Sequence, residues 1–235
     1  MPNWLSLTAT EIQALQLSVS IALRSVVFNL PIGIGIAWLL TRRRFPGRLF
    51  FDAIVHLPLV LPPVVIGYVL LMLLGIRSPI GAWLFDHFNI RLVFTSTGAA
   101  VATAVMSLPL MVRSIRIALE GVDRGLEQAA RTLGASAMNC FCTVTLPLML
   151  PGVLAGIVTA FSAGLGEFGA VITFVGNVPG ETQTLPLALY SALQSPSGSS
   201  TAAHLATLSC LLGLTGLVLA EVLARSLRRH FGHTV

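Results

Sequence analysis

The segment 124–147, RGLEQAARTLGASAMNCFCTVTLP, decides the fold, because it places a short amphipathic helix between two long apolar stretches. Asp123 is a suitable N-cap residue, and Gly134 is the residue type that most often follows the end of a helix. A helix is therefore predicted over 124–133. Its small and aliphatic side chains recur at the i, i+3, i+4 and i+7 spacing of a single face, namely Leu126, Ala129, Ala130 and Leu133.

The other side of this helix is polar. Glu127 and Arg131 stand four residues apart with the acid nearer the N-terminus, which is the favourable order for an ion pair within a helix. A helix of about ten residues is too short to be stable alone in water. We therefore expect it to pack on a partner protein, on the membrane surface or on the chain's own helix bundle.

The chain as a whole is too apolar for a soluble domain. Of its 235 residues, 55% are hydrophobic and only 10% are charged, whereas soluble proteins carry about 25% charged residues. Four long stretches contain no Asp, Glu, Lys or Arg, namely 53–76, 92–112, 132–166 and 182–220. A helix of about 20 residues crosses a bilayer. The sequence predicts an all-α integral membrane protein, a single transmembrane domain over 1–235, with a loop at 118–147 and five spans at 14–40, 52–75, 94–117, 146–172 and 203–225.

The basic residues orient these spans. All 14 are arginines, and the two loops that follow the second and fourth spans contain only Arg77 and Arg91. Positive residues are retained in short cytoplasmic loops, so the N-terminus is predicted outside and the C-terminus in the cytoplasm. Arg24, inside the first span, is expected to snorkel or to pack between subunits, or else to attract an anion. The remaining arginines belong to the first and third loops and the C-terminal tail, and they do not form the clustered surface expected for nucleic-acid binding. They are Arg42, Arg43, Arg44, Arg48, Arg113, Arg116, Arg124, Arg131, Arg225, Arg228 and Arg229.

Two spans contain prolines that break a helix. Proline removes a backbone donor and clashes with the preceding turn, and irregular backbone at membrane depth is tolerated where it lines a cavity or packs on protein. The second span is predicted to kink and to line a path or, alternatively, to have ordinary packing kinks. His56 either lines that path or is a satisfied core histidine. The prolines concerned are Pro58, Pro62 and Pro63 in the second span and Pro147 and Pro151 in the fourth.

A glycine-flanked acid lies near the outer end of the predicted fourth span. The sequence there is Gly166-Glu167-Phe168-Gly169. A gate formed by Phe168 and aliphatic neighbours is predicted, with an ordinary interfacial Glu as the alternative. The three cysteines, Cys140, Cys142 and Cys210, lack the spacing of metal ligands, and neither a catalytic nor a metal site is predicted.

The 124–147 segment resembles the EAA loop of the permeases of binding-protein-dependent ABC importers. The resemblance rests on Gln128-Ala129-Ala130, on Gly134 four residues later and on Leu146-Pro147 preceded by Val144. The family has Glu where this chain has Gln128, with Glu127 one residue earlier, so either residue is a candidate for the polar contact to the ATPase. Further segments resemble the molybdate permeases, and the sulfate and thiosulfate permeases share several of them: 45–47, 56–68, 119–123, 166–170 and 176–184.

The resemblance implies a type I ABC importer permease in the bacterial inner membrane. In such a transporter, two copies of the permease form the pathway, and two cytoplasmic ATPase subunits dock on the helix predicted over 124–133, called the coupling helix. A periplasmic oxyanion-binding protein delivers molybdate or tungstate. Sulfate or thiosulfate is the alternative substrate. ATP and Mg²⁺ are expected on the ATPase, because a chain without lysine cannot form a Walker A loop. No cofactor and no enzymatic activity are expected for this chain. A membrane enzyme or an independent secondary transporter is the more distant alternative.

Overall fold

The computed structural model describes residues 8–196 and 198–231 and, within them, every side chain except those at 220 and 223–231. Arg225, Arg228 and Arg229, which support the predicted orientation, therefore lie outside the described side chains. The described part is helical and includes a π-helical turn at Phe141–Thr145. The helices are α1 (Ala9–Arg42), α2 (Arg48–Val60), α3 (Pro63–Leu74), α4 (Pro79–Phe88), α5 (Ser96–Glu120), α6 (Arg124–Thr132), α7 (Ala137–Cys140), α8 (Leu146–Leu165), α9 (Gly169–Val175), α10 (Leu185–Gln194) and α11 (Ser199–Phe231).

Length and composition identify the helices that are able to cross a membrane. Within the described ranges these are α1, α5, the run Ala137–Leu165 that joins α7 to α8, and the Ser199–Leu219 part of α11. The bent pair α2 and α3 makes a fifth if it is taken as one span. The remaining helices, α4, α6, α9 and α10, have ten residues or fewer, which is too short for a helical span.

The segment predicted as the second span is two helices. The chain turns by 116° between Val60 and Pro63. Pro62 and Pro63 supply no backbone donors, and Pro63 opens α3 at the position where a helix tolerates proline. Pro58 lies within α2 without ending it. The predicted kink is therefore a sharp bend at the proline pair.

The fourth apolar helix departs from the predicted 146–172 at both ends. It is helical from Ala137, because the π-helical turn carries the chain into α8 without a stop before Pro147. It ends at Leu165, and Pro151 lies inside it. A break at 166–168 then leads into α9, whose Ala170, Val171, Phe174 and Val175 are buried.

The core is formed where α1, α5 and α8 cross, and small residues let their backbones approach closely. Gly152 on α8 faces Ser114 and Ala118 on α5, and a Cβ at Gly152 would lie 2.9 Å from the Ser114 carbonyl oxygen. Asn29, buried on α1, donates from Nδ2 to the Ala104 carbonyl at 2.9 Å and to Ser107 Oγ at 3.0 Å. This packing fixes the ends of α1 and α8 on which α6 rests.

Candidate functional site

Local capping sets the bounds of α6. Asp123 Oδ1 accepts a hydrogen bond from the Gly125 amide at 2.8 Å, which satisfies a free donor of the first turn. The helix ends at Thr132, one residue before the predicted end, with Leu133 as the C-cap. Gly134 then adopts φ +91°, a left-handed conformation that glycine enters without steric cost.

Glu127 holds α6 on the bundle. Its Oε1 accepts from Arg42 Nη2 at 2.9 Å and from Thr145 Oγ1 at 2.8 Å. The predicted ion pair of Glu127 with Arg131 is wrong, because the Glu127 carboxylate is directed to Arg42 at the end of α1. The Arg42 and Glu127 side chains are only 10% and 20% exposed, and attraction between charges is stronger where water is excluded.

The apolar face of α6 points away from the bundle. Leu126 is 50% exposed and Leu133 is 89% exposed, and Gln128, Ala129 and Arg131 are exposed as well. The helix therefore does pack on the chain's own bundle, through Glu127 on its polar side, while most of its apolar face stays exposed. The predicted docking residues Leu126, Gln128, Ala129 and Leu133 form a free surface, while Glu127 serves as the anchor behind it and Ala130 is half-buried.

A second candidate region is the contact between the two helix breaks. Gly169, which opens α9, packs on Pro63, so that an added Cβ would lie 2.8 Å from Pro63 Cβ. One turn further along α3, a Cβ on Gly67 would lie 2.6 Å from the carbonyl oxygen of Ala170, the residue that follows Gly169. The bend after α2 and the break after α8 thus meet, which brings Pro62 and Pro63 to the 166–169 segment.

Glu167 and Phe168 have structural contacts within this break. Glu167 Oε1 accepts from the Ala170 amide at 2.9 Å and so satisfies a donor in the first turn of α9. The Phe168 ring is half-buried, 5.1 Å from the Tyr190 ring on α10. Gly166 is exposed at the end of α8.

His56 belongs to a different cluster. Its Nδ1 lies 3.1 Å from Asp52 Oδ1, and Asp52 Oδ2 accepts from Arg116 Nη1 at 3.0 Å. Arg116 also donates to Glu120 at 2.9 Å. The cluster joins α2 to α5, so the structure gives His56 a polar partner and does not group it with the 166–169 segment.

Sequence reasoning missed the residues that join distant elements. The sequence identifies Arg42 only as a loop charge and gives no indication of Thr145, yet both bind Glu127, and Arg42 is 85 residues away from it. Arg24 Nη1 donates to Ser96 Oγ at 3.2 Å at the start of α5. No local pattern indicates either pairing. Within the described residues, no group of three or more His, Cys, Asp or Glu side chains is arranged to hold a metal.

Known proteins resemble this chain along most of its length. The family described as binding-protein-dependent transport system inner membrane component matches residues 29–229. The molybdenum transport system permease protein ModB of Escherichia coli K12 is 54% identical over 226 residues, which cover 96% of this chain and 99% of the relative. The sulfate transport system permease protein CysT of the same organism is 40% identical over 189 residues, 79% of this chain and 68% of the relative.

Solved structures share the fold at low sequence identity. A chain of the inward-facing MetNI methionine ABC transporter matches with a TM-score of 0.71 at 17% identity, over 92% of this chain and 95% of that chain.

Proposed function

Because this chain belongs to the binding-protein-dependent transport system inner membrane component family, we propose that it is the permease subunit of an ATP-driven molybdate importer. It is a multi-pass protein of the bacterial inner membrane, and ATP hydrolysis takes place on separate subunits. The observation that carries the substrate is the near-complete match to a permease named for molybdenum, at higher identity than to one named for sulfate. Tungstate, a similar oxyanion, is the expected second substrate.

The proposed topology has five spans: α1, the bent pair α2 and α3, α5, the run from α7 to α8, and α11. Arg42, Arg43, Arg124 and Arg131 gather around α6 at one end of the bundle. Since positive residues are retained inside, this end faces the cytoplasm and the N-terminus of α1 lies outside. The C-terminus of α11 is then cytoplasmic.

In this proposal α6 is the coupling helix. Leu126 and Leu133 offer an exposed apolar surface to one of two ATPase subunits, and ATP-driven closure of the ATPase pair moves α6. Because Glu127 binds both Arg42 and Thr145, the movement reaches α1 and the start of α8 together. Gln128, at the position of the family's Glu, is exposed and makes the polar contact to the ATPase.

The pathway is proposed to run between two copies of the chain, past the point where the breaks beside Pro63 and Gly169 meet. Irregular backbone at membrane depth is tolerated where it packs on protein or lines a cavity. Glu167 holds the backbone of the break in place and does not bind the anion, which a carboxylate would repel. A periplasmic binding protein selects and delivers the substrate.

Reconstitution tests the function. The chain is placed in liposomes with its ATPase and binding protein, and ATP-dependent uptake of molybdate, tungstate and sulfate is measured separately. We expect uptake of molybdate and tungstate with little of sulfate. Preferred uptake of sulfate would reassign the substrate, and uptake without ATP would refute the ATP-driven mechanism.

The same liposomes test the coupling role of Glu127. Glu127→Gln weakens a buried charge-assisted contact worth about 1.5–3 kcal/mol, so we expect ATP-dependent uptake to fall about tenfold while ATP hydrolysis continues. Glu120→Gln is the matched control, because Glu120 is 52% exposed and bonds Arg116 within its own helix. Uptake by this control is expected to stay within about twofold of the unaltered chain, since exposed i, i+4 pairs contribute little. Equal losses in the two variants would show that Glu127 has no special role.

A further inference from the structure

An open cavity of about 430 Å³ lies between the end of α1, α6 and the run from α7 into the π-helical turn. Its volume is in the range of small-ligand sites. Arg42, Arg43, Arg124 and Arg131 line it, together with the single acid Glu127. The lining is therefore strongly positive.

The positive charge of the cavity is not neutralised by the chain. The Glu127 carboxylate is already occupied by Arg42 and Thr145. Among the side chains that the structure describes, none forms an ion pair with Arg43, Arg124 or Arg131. Gathering like charges without a counter-charge is unfavourable, so an anion in the cavity would be stabilised.

Arg42 lies on the buried side of the cavity, where its Nη2 is held by Glu127 and its Nε is buried without a hydrogen-bond partner. The guanidinium groups that an anion in the cavity can reach are those of the exposed residues Arg43, Arg124 and Arg131. An oxyanion supplies several acceptor oxygens at once, and guanidinium groups bind phosphate oxygens in matched pairs of hydrogen bonds.

The cavity lies at the expected level of the membrane surface. Arg43 stacks over the Trp38 ring at 5.3 Å, and both residues are within the last turns of α1 or directly after it. Tryptophan is enriched where a helix leaves the hydrocarbon core. Basic pockets between membrane helices at this depth are suited to the phosphates of lipid headgroups.

We propose that this arginine-lined cavity binds a phosphate-type tetrahedral oxyanion, supplied by the headgroup of an anionic phospholipid or by a free ion. The site is separate from the transport pathway and does not depend on which substrate the chain carries. A bound phosphate would neutralise the arginines behind α6 and hold the helix against α1.

The test uses the full chain in an uncharged detergent without added lipid. In one arm, phosphatidylglycerol is titrated and bound lipid is counted by native mass spectrometry, with phosphatidylcholine as the lipid control. In the other arm, inorganic phosphate is titrated and binding is followed by calorimetry. Each arm compares Arg43→Gln/Arg131→Gln with Arg44→Gln/Arg113→Gln. The second pair removes the same charge from exposed arginines that do not line the cavity.

We expect the unaltered chain to bind at least one of the two phosphate sources. The affinity should fall about tenfold in Arg43→Gln/Arg131→Gln, since each arginine near the surface adds to the attraction of anions. It should change by less than about twofold in the control pair. Binding of phosphatidylglycerol alone identifies a lipid site, and binding of inorganic phosphate identifies a free-ion site.

Three results would overturn the proposal. The first is no binding of either source, or equal binding of phosphatidylcholine. The second is an equal loss in the two double variants, which would indicate attraction by net charge alone. The third is loss of all binding when the ATPase subunit is assembled on the chain, which would mean that the cavity is filled by the ATPase.

Discussion

The helices α5 and α11 are both apolar enough to cross a membrane, but the bundle uses them in opposite ways. In the stretch of each that qualifies as a span, 61% of α5 is buried and only 11% of α11. The exposed helix is nevertheless the more hydrophobic of the two. The buried side of α5 is rich in small and weakly polar residues, including Ala99, Ala102, Thr103, Ala104 and Ser107.

The difference shows that hydrophobicity does not determine which helices of this protein are buried in the bundle. Lipid tails are as apolar as leucine, so a leucine gains little by leaving them for the bundle. Close packing and hydrogen bonds select the interior instead. The side chains of Leu211, Leu214 and Leu217 on α11 are accordingly exposed on the outside of the bundle.

The largest effect on the free energy of unfolding is expected when one methyl group is introduced between α5 and α8. Gly152→Ala places a Cβ against Ala118 and 2.9 Å from the Ser114 carbonyl oxygen. We expect the free energy of unfolding in mixed micelles to fall by about 2 kcal/mol. Gly213→Ala on α11 is the control, because nothing lies within 4 Å of its Cβ. It should be neutral or stabilising by up to about 1 kcal/mol, as alanine favours helix. Effects of the same sign and size would contradict the comparison.

A smaller effect is expected from the buried polar contact between α1 and α5. Asn29→Ala removes the bonds from Nδ2 to Ala104 and Ser107 and should lower the free energy of unfolding by about 1 kcal/mol, the usual range for such bonds between membrane helices. Thr215→Ala is matched to it on α11, where the hydroxyl donates to the carbonyls of Leu211 and Leu212 in its own helix. Denaturant titration of the two variants should separate them, with a change below about 0.5 kcal/mol for Thr215→Ala. A loss of equal size at Thr215 would mean that the exposed helix depends on polar contacts as much as the buried one.

The sequence predicts those features that local chemistry determines. The start of α6 follows from Asp123 and its end from Gly134, because a capping side chain and a left-handed glycine act within one turn. The bend between α2 and α3 follows from Pro62 and Pro63 for the same reason. The charge-free stretches likewise indicate the apolar helices, since length and composition are enough to identify them.

Features that depend on the packed bundle are not visible in the sequence. The partner of Glu127 is Arg42 on another helix rather than the local Arg131. The break at 166–168 contains no proline, and it forms where Gly169 and Ala170 pack on Pro63 and Gly67 of another helix. Hydrophobicity also predicts the wrong order of burial for α5 and α11. It indicates buried residues in water, but lipid tails are as apolar as the protein interior, so it does not do so in a bilayer.

The π-helical turn at Phe141–Thr145 has a consequence for helical phase. A wide turn carries an extra residue relative to α-helix, and each residue in an α-helix corresponds to a rotation of about 100°. The turn therefore offsets the angular position of α7 from that of α8 by roughly one residue while the two remain on one helical run. This offset lets Cys140 face the Glu127 carbonyl, with its Sγ at 3.6 Å, and also leaves Thr145 facing the Glu127 carboxylate. The alignment of α6 with the run from α7 to α8 thus depends on the one extra residue of the π-helical turn. Deleting one residue there should disturb this alignment, whereas an irregular loop would absorb the deletion.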